Sequence, residues 1–253
     1  MIGNIFAGFL ANLLFAIFLI AIGWLIYLIT ERRRLLRFFN IADTKRLAIY
    51  LSNLRVIPGG ALGIDNINRN YYGHAVVYNE QLYATRFKER FNYLVPSLSE
   101  SPTFLSKIVF ADINVSIIPS PLSESEIGAN SSIMSFGSPG YNKASTMIEN
   151  NSHSVVRFIN DNRAIQVRNV PNITDTSNAV IQRLVIDTTE CKRSLFYVAG
   201  ISERGTIGAA NYLLKYWKTL NRKYKYDESF VVVINFPTDN YNNFTIALER
   251  KIE

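Results

Sequence analysis

Two hydrophobic patterns divide the chain. From Ile5 to Ile29 almost every position is apolar, in the run IFAGFLANLLFAIFLIAIGWLIYLI, and Met1 to Thr30 carries no charged side chain. A run apolar on every side predicts a helix that faces hydrocarbon all round. At this length it rises about 37 Å, against a hydrocarbon core of about 30 Å, so it spans with some tilt. A cleaved signal peptide needs a basic start, a shorter apolar run and a small-residue cleavage site, none of which is legible here.

Beyond residue 46 the pattern changes to short apolar runs alternating with helical periodicity. Strands are predicted at 46–54, 107–119, 178–187, 193–200 and 229–236. A strand, a Gly-Pro turn and a helix follow one another over 133–151. SVVRF and AIQVR form a hairpin turning at Asn160, Asp161 and Asn162. Helices are predicted at 79–95, with Leu82, Phe87, Phe91 and Leu94 on its apolar side, and at 205–224. The near-continuous apolar run SFVVVINF predicts an inner parallel strand, and NFTIALERK an edge strand. The fold class expected is α/β: one transmembrane helix (1–30), a basic juxtamembrane linker or helix (31–46), and a Rossmann-like domain (47–253). That domain has an open, mainly parallel sheet, helices on both faces and some antiparallel pairing.

Charge sets the orientation. The net charge is +7, all of it after residue 30, and Glu31, Arg32, Arg33, Arg34 and Arg37 supply +3. Positive flanks stay inside, so the N-terminus is expected outside and the domain in the cytoplasm, at an inner or plasma membrane. Trp24 and Tyr27 suit the inner interface. The rest is too mildly basic for a nucleic-acid groove. The single Cys191 excludes an internal disulfide, and with only His74 and His153 beside it no zinc cluster is expected. Within the span, Gly8, Asn12, Ala16 and Gly23 fall near one helix face, which suits homo-oligomerisation or a pore. An Asn near the outer end, where water reaches it, fits a plain anchor equally well.

Three Gly-rich loops are expected where strands lead into helices, the edge at which open α/β sheets bind ligands. The first holds Ser52, Gly59, Gly60 and Arg69. The second holds Gly137, Ser138 and Asn142, and the third Gly200, Glu203, Arg204, Gly205 and Thr206. Glycine lets backbone N–H groups approach a ligand, the helix start favours an anion, and arginine pairs with phosphate. Gly208, Ala209 and Ala210 suit close packing of helix on sheet. The spacing is neither a dinucleotide fingerprint nor a Walker loop, and no cofactor is expected. Glu80 is the one candidate general base or nucleophile, although a glutamate in a first helical turn is also what helix polarity favours.

The stretches GISERGTIGAA and FGSPGYN resemble Rossmann-like families built around a Gly-Thr turn, the nucleoside deoxyribosyltransferase-like and lysine-decarboxylase-like (SLOG) domains. Relatives of these serve as sensors in bacterial anti-phage systems, some fused to membrane helices. The resemblance implies a nucleotide or cyclic-nucleotide ligand, a second messenger. Enzymes of these families carry a glutamate a few residues after the Gly-Thr pair, where this chain has Ile207, Gly208, Ala209 and Ala210. The function expected is therefore a membrane-anchored sensor-effector that couples ligand binding to oligomerisation and membrane perturbation. The alternatives are a tethered nucleoside or nucleotide glycosidase using Glu80, and a non-catalytic docking protein.

Overall fold

The computed structural model describes residues 2–54, 76–92, 113–187, 191–237 and 240–252. Helix α1 (Ile2–Phe38) is continuous and about 55 Å long. Every residue from Phe9 to Tyr27 is exposed, and the helix is long and apolar enough to cross a membrane. At Leu28 its character changes. Leu28, Glu31, Arg32, Leu35 and Phe38 are buried, an i, i+3, i+4, i+7 stripe, while Arg33, Arg34 and Arg37 stay exposed. The basic segment after the apolar run is thus an amphipathic foot seated in the domain's core. Asn40 ends it by adopting a left-handed conformation (φ 49°), which asparagine tolerates. The Asn40 side chain donates to Ser194 Oγ at 2.8 Å and to the Tyr226 carbonyl at 3.2 Å.

After a single turn, α2 (Ile41–Thr44), the chain enters β1 (Arg46–Leu51), α3 (Tyr78–Asn92), β2 (Asn114–Pro119) and β3 (Ser132–Phe136). Helix α4 (Lys143–Glu149) follows, then the hairpin β4 (Val156–Ile159) and β5 (Ala164–Val167). The chain closes with β6 (Asn178–Asp187), β7 (Lys192–Gly200), α5 (Glu203–Lys223), β8 (Ser229–Asn235) and β9 (Thr245–Ile252). Seven strands form one mixed sheet in the order β2-β1-β3-β7-β6-β8-β9, and β4 and β5 pair apart from it. Strands β2, β1, β3 and β7 pair in parallel, whereas β6, β8 and β9 join antiparallel.

The inner parallel strand expected at 229–236 is inner but antiparallel to both neighbours. Its apolar run reflects burial on both faces, which is blind to direction: Phe230, Val232 and Ile234 enter one core and Val231 and Val233 the other. Asn160, Asp161 and Asn162 all take positive φ, as the hairpin turn at that site requires. Of the second expected strand, the described part begins at Asn114.

The two faces are covered unequally. On one, α3, α5 and the foot of α1 pack with Leu47, Ile49, Phe136, Phe196 and Phe230. On the other lie α4 and the hairpin, over Ala48, Tyr50, Leu195 and Tyr197. Phe38 and Phe39 sit at the centre of the first core. Phe38 packs edge-on to Phe39 at 4.9 Å and near Trp217 at 6.2 Å; Phe39 meets Phe91 at 5.0 Å and Phe196 at 4.6 Å.

Candidate functional site

Because β1, β3 and β7 are parallel neighbours, the turns that leave them meet at one edge of the sheet. The chain passes from β1 outward to β2 and then back across to β3, so the crevice between the ends of β1 and β3 is a topological switch point. Open α/β sheets place ligands at that position.

Ser52 stands directly after β1 and Gly137 directly after β3. Glu80, in the first turn of α3, reaches between them: its Oε2 accepts the Ser52 N–H at 2.8 Å and its Oε1 accepts the Ser52 hydroxyl at 3.0 Å. Gly137 is required here twice over. Its φ of +90° is strained for any side chain, and a Cβ would stand 2.2 Å from Ser52 Oγ and 3.1 Å from Glu80 Oε1. Glu80 is only 3% exposed, and burial pushes its carboxyl from 4.5 up to about 7 against the lowering by the two Ser52 bonds; nearby Glu203 adds a little. A carboxyl of this kind sits at the edge of ionisation at neutral pH.

Glu203 opens α5 and is exposed, and Asn79 donates to its Oε1 at 2.8 Å. The first and third loops are therefore bridged by adjacent residues of α3, Asn79 and Glu80. The second loop is tied in by Asn142, whose amide donates to the carbonyls of Tyr50 at 3.0 Å and Phe136 at 2.8 Å while its oxygen caps α4 at the Ala144 N–H. The Ser138 carbonyl accepts the N–H groups of Tyr141 and Asn142. Ser145 donates to the Gly137 carbonyl at 2.6 Å.

The third loop is built for close approach of helix and sheet. A Cβ on Gly200 would fall 2.5 Å from the backbone of Gly205 and Thr206, and one on Gly205 would fall 2.8 Å from the Asn178 carbonyl. The Thr206 hydroxyl accepts the Gly200 N–H at 3.0 Å, and Ser202 caps α5 at the Gly205 N–H. Gly208 lies against the Phe236 ring. Arg204, expected to face phosphate, donates to the Phe236 carbonyl at 2.8 Å.

Of the sequence-predicted residues, Ser52, Glu80, Gly137, Ser138, Asn142, Gly200, Glu203, Gly205 and Thr206 thus gather at this edge, with Arg204 turned to Phe236. Gly59, Gly60, Arg69 and His74 lie outside the described residues. Asn12 and Ala16 are exposed and Gly23 faces open space; the surroundings of Gly8 lie outside the described residues. His153 is exposed and Cys191 half-buried, and among the described residues no group of histidine, cysteine and carboxylate side chains suits a metal.

Sequence reasoning missed Asn79, which carries no motif, and the pair Glu149 and Tyr197. There the Tyr197 hydroxyl donates to Glu149 Oε1 at 2.7 Å, and burial pushes Glu149 up to about 7 and the tyrosine well above its ordinary value. A separate groove of about 450 Å³ lies along β1 and β2, lined by Ala48, Tyr50, Ser116, Ile118 and Glu126 among others, and none of the sequence-predicted site residues lines it.

The geometry defines an α/β domain built onto the end of a long apolar helix, with polar side chains converging at the switch point of its sheet. Comparison of the chain with protein-family models, with curated proteins and with solved structures gives no match.

Proposed function

We propose that this chain is a single-pass membrane protein whose domain binds a nucleoside-containing ligand at the ends of β1, β3 and β7 and passes the binding event to its anchor. The observation that carries the reading is the position of α3 and α5. Both start at the candidate site, with Glu80 and Glu203 in their first turns, and both pack further along against the foot of α1. In α3, Phe87 and Phe91 contact Phe39; in α5, Trp217 contacts Phe38 and Lys218 pairs with Glu31 at 2.5 Å.

The chemistry of the described groups narrows the ligand. The exposed Glu203 carboxylate beside Asn79 favours hydrogen-bond donors, such as ribose hydroxyls or a base amino group, over a bare phosphate. The exposed apolar surface from Phe9 to Tyr27 supports a lipid-facing helix, since soluble proteins rarely leave so large an apolar surface open to water. The arginines after it support a cytoplasmic domain. A role as sensor-effector in anti-phage defence rests on this coupling and on the resemblance carried by the Gly-Thr turn.

A thermal-shift screen of the full chain in detergent, against nucleoside mono-, di- and cyclic phosphates, tests the reading. A ligand at 100 times its dissociation constant adds about 2.7 kcal/mol. No shift with any of them would favour a docking protein instead. The raised carboxyl of Glu80 supports a second reading, a tethered glycosidase with Glu80 as general acid. Release of free base by the full chain, lost in Glu80→Gln with ligand binding retained, would establish it.

A further inference from the structure

We infer that the outer stripe of α1's foot, Arg33, Arg34 and Arg37, is an anionic-lipid docking surface that seats the domain on the bilayer. The inference rests on the proposal that α1 spans a membrane. The exposed apolar surface stops at Tyr27, and Leu28 and Glu31 are already buried against the domain, so no spacer separates domain from membrane. Lys218 Nζ lies 5.9 Å from the Tyr27 ring while pairing with Glu31, which places the side of α5 at the same level.

Thr30 closes the apolar stretch, its hydroxyl turned back onto the Ile26 carbonyl at 2.8 Å. From there Arg33 is about 5 Å further along the axis and Arg37 about 11 Å. The headgroup layer beyond the hydrocarbon is about 5–8 Å deep on each side, and a long arginine side chain reaches back several ångströms towards it.

The two sides of the foot differ in exposure. On its inner side Arg32 is buried, and Glu31, with only 9% of its side chain exposed, accepts Lys218 at 2.5 Å and Arg34 at 3.3 Å. Its outer side carries exposed guanidinium groups at 33, 34 and 37, with Arg34 61% exposed in spite of its partner. Arginine forks match phosphodiester oxygens, and each basic residue near an anionic surface changes partition by about fivefold. The foot is held rigidly in the core, so headgroups bound to this stripe fix the tilt of the domain as well as its distance from the membrane.

Trp24, half-exposed within the apolar run, reports on the lipids around α1, and Trp217, buried at 3% exposure, supplies a constant background. The experiment places the full chain in phosphatidylcholine bilayers containing equal fractions of acyl-brominated phosphatidylglycerol or acyl-brominated phosphatidylcholine, and measures tryptophan quenching. The result expected is an association ratio of about fivefold or more in favour of the anionic lipid. The ratio should fall to about one in the triple variant Arg33→Gln, Arg34→Gln, Arg37→Gln and persist when the three are lysine. Equal quenching by both lipids in the wild type, or a preference kept in the glutamine variant, overturns the inference while leaving the span intact. Absence of quenching by either lipid overturns the membrane-spanning reading itself.

Discussion

Arg183, on the inner strand β6, donates from Nη1 to the carbonyl of Phe38, the last residue of α1, at 3.0 Å. Its Nε donates to the Glu228 carbonyl at 3.0 Å and its Nη2 to the Lys225 carbonyl at 2.5 Å. The guanidinium lies 4.9 and 4.8 Å from the ring centroids of Phe38 and Phe230, which stack on each other at 6.2 Å. A fully buried cation is thus held by carbonyls and ring faces at the negative end of a helix dipole. This contact makes the end of the apolar helix an internal part of the domain.

Replacing Arg183 with leucine leaves the Phe38, Lys225 and Glu228 carbonyls short of a donor in an apolar setting. A loss of about 3 kcal/mol or more is expected, read as a lower denaturation midpoint of the full chain in detergent. Lysine at 183 should recover only part of this, because an ammonium lacks the planar fork that serves separated carbonyls while stacking on rings.

Two truncations separate the apolar part of α1 from its foot. A chain beginning at Leu28 keeps Leu35, Phe38 and Phe39 in the core and the Phe38 carbonyl on Arg183, so circular dichroism should show a cooperatively folded, soluble domain. A chain beginning at Lys45 removes Leu35, Phe38, Phe39 and Ile41, all fully or nearly fully buried, and exposes Phe87, Phe91, Phe196 and Phe230. It should aggregate or melt without a cooperative transition.

Glycine substitutions grade the candidate site against the apolar part of α1. Gly137→Ala places a Cβ on Ser52 Oγ at a positive φ and should cost at least about 2 kcal/mol in the unfolding midpoint. Gly23→Ala meets nothing within 4 Å in the isolated chain and should be neutral or stabilising by up to about 1 kcal/mol. A drop in oligomer size for Gly23→Ala on native mass spectrometry would show that this face packs against another copy.

Stability should depend on the ionisation of Glu80. Its carboxyl is raised from 4.5 to about 7 on folding, so between those values the folded chain holds a proton that the unfolded chain has lost. The group's contribution is fully present below about pH 4.5 and is lost as pH rises through 7, amounting to about 3 kcal/mol. Glutamine at 80 stays neutral and keeps an acceptor for the Ser52 N–H and a donor for its hydroxyl oxygen. Glu80→Gln should therefore flatten the fall in denaturation midpoint between pH 5 and 8. Part of the slope should remain, because Glu149 is raised in the same direction.

The sequence made the meeting of Ser52 with the second and third loops at one edge legible, because a strand that runs through glycine into a helix leaves its turn at the carboxyl end, whereas Gly59, Gly60 and Arg69 of the first loop lie outside the described residues. It also marked Gly208 to Ala210 as packing residues. Its apolar pattern pointed to a parallel β8, which is antiparallel to both neighbours, since a strand covered on both faces reads the same either way. The foot of α1 was hidden in the basic run from Glu31 to Arg37 because burial of Glu31 depends on Lys218, and that of Leu35 and Phe38 on the rest of the domain, far along the chain. Glu80 looked like an ordinary first-turn carboxylate; its burial follows from Ser52 and Gly137, which only the parallel pairing of β1 with β3 brings beside it.

Hydrogen–deuterium exchange of the full chain in lipid nanodiscs, with and without nucleoside mono-, di- and cyclic phosphates, is the most direct test of a ligand site joined to a membrane anchor. At least one of these ligands should protect residues 52–54, 78–84 and 136–142 together, and change exchange in the foot at residues 28–39. Unchanged exchange at all three of these segments with every ligand would contradict the site, and protection there with an unchanged foot would contradict its coupling to α1.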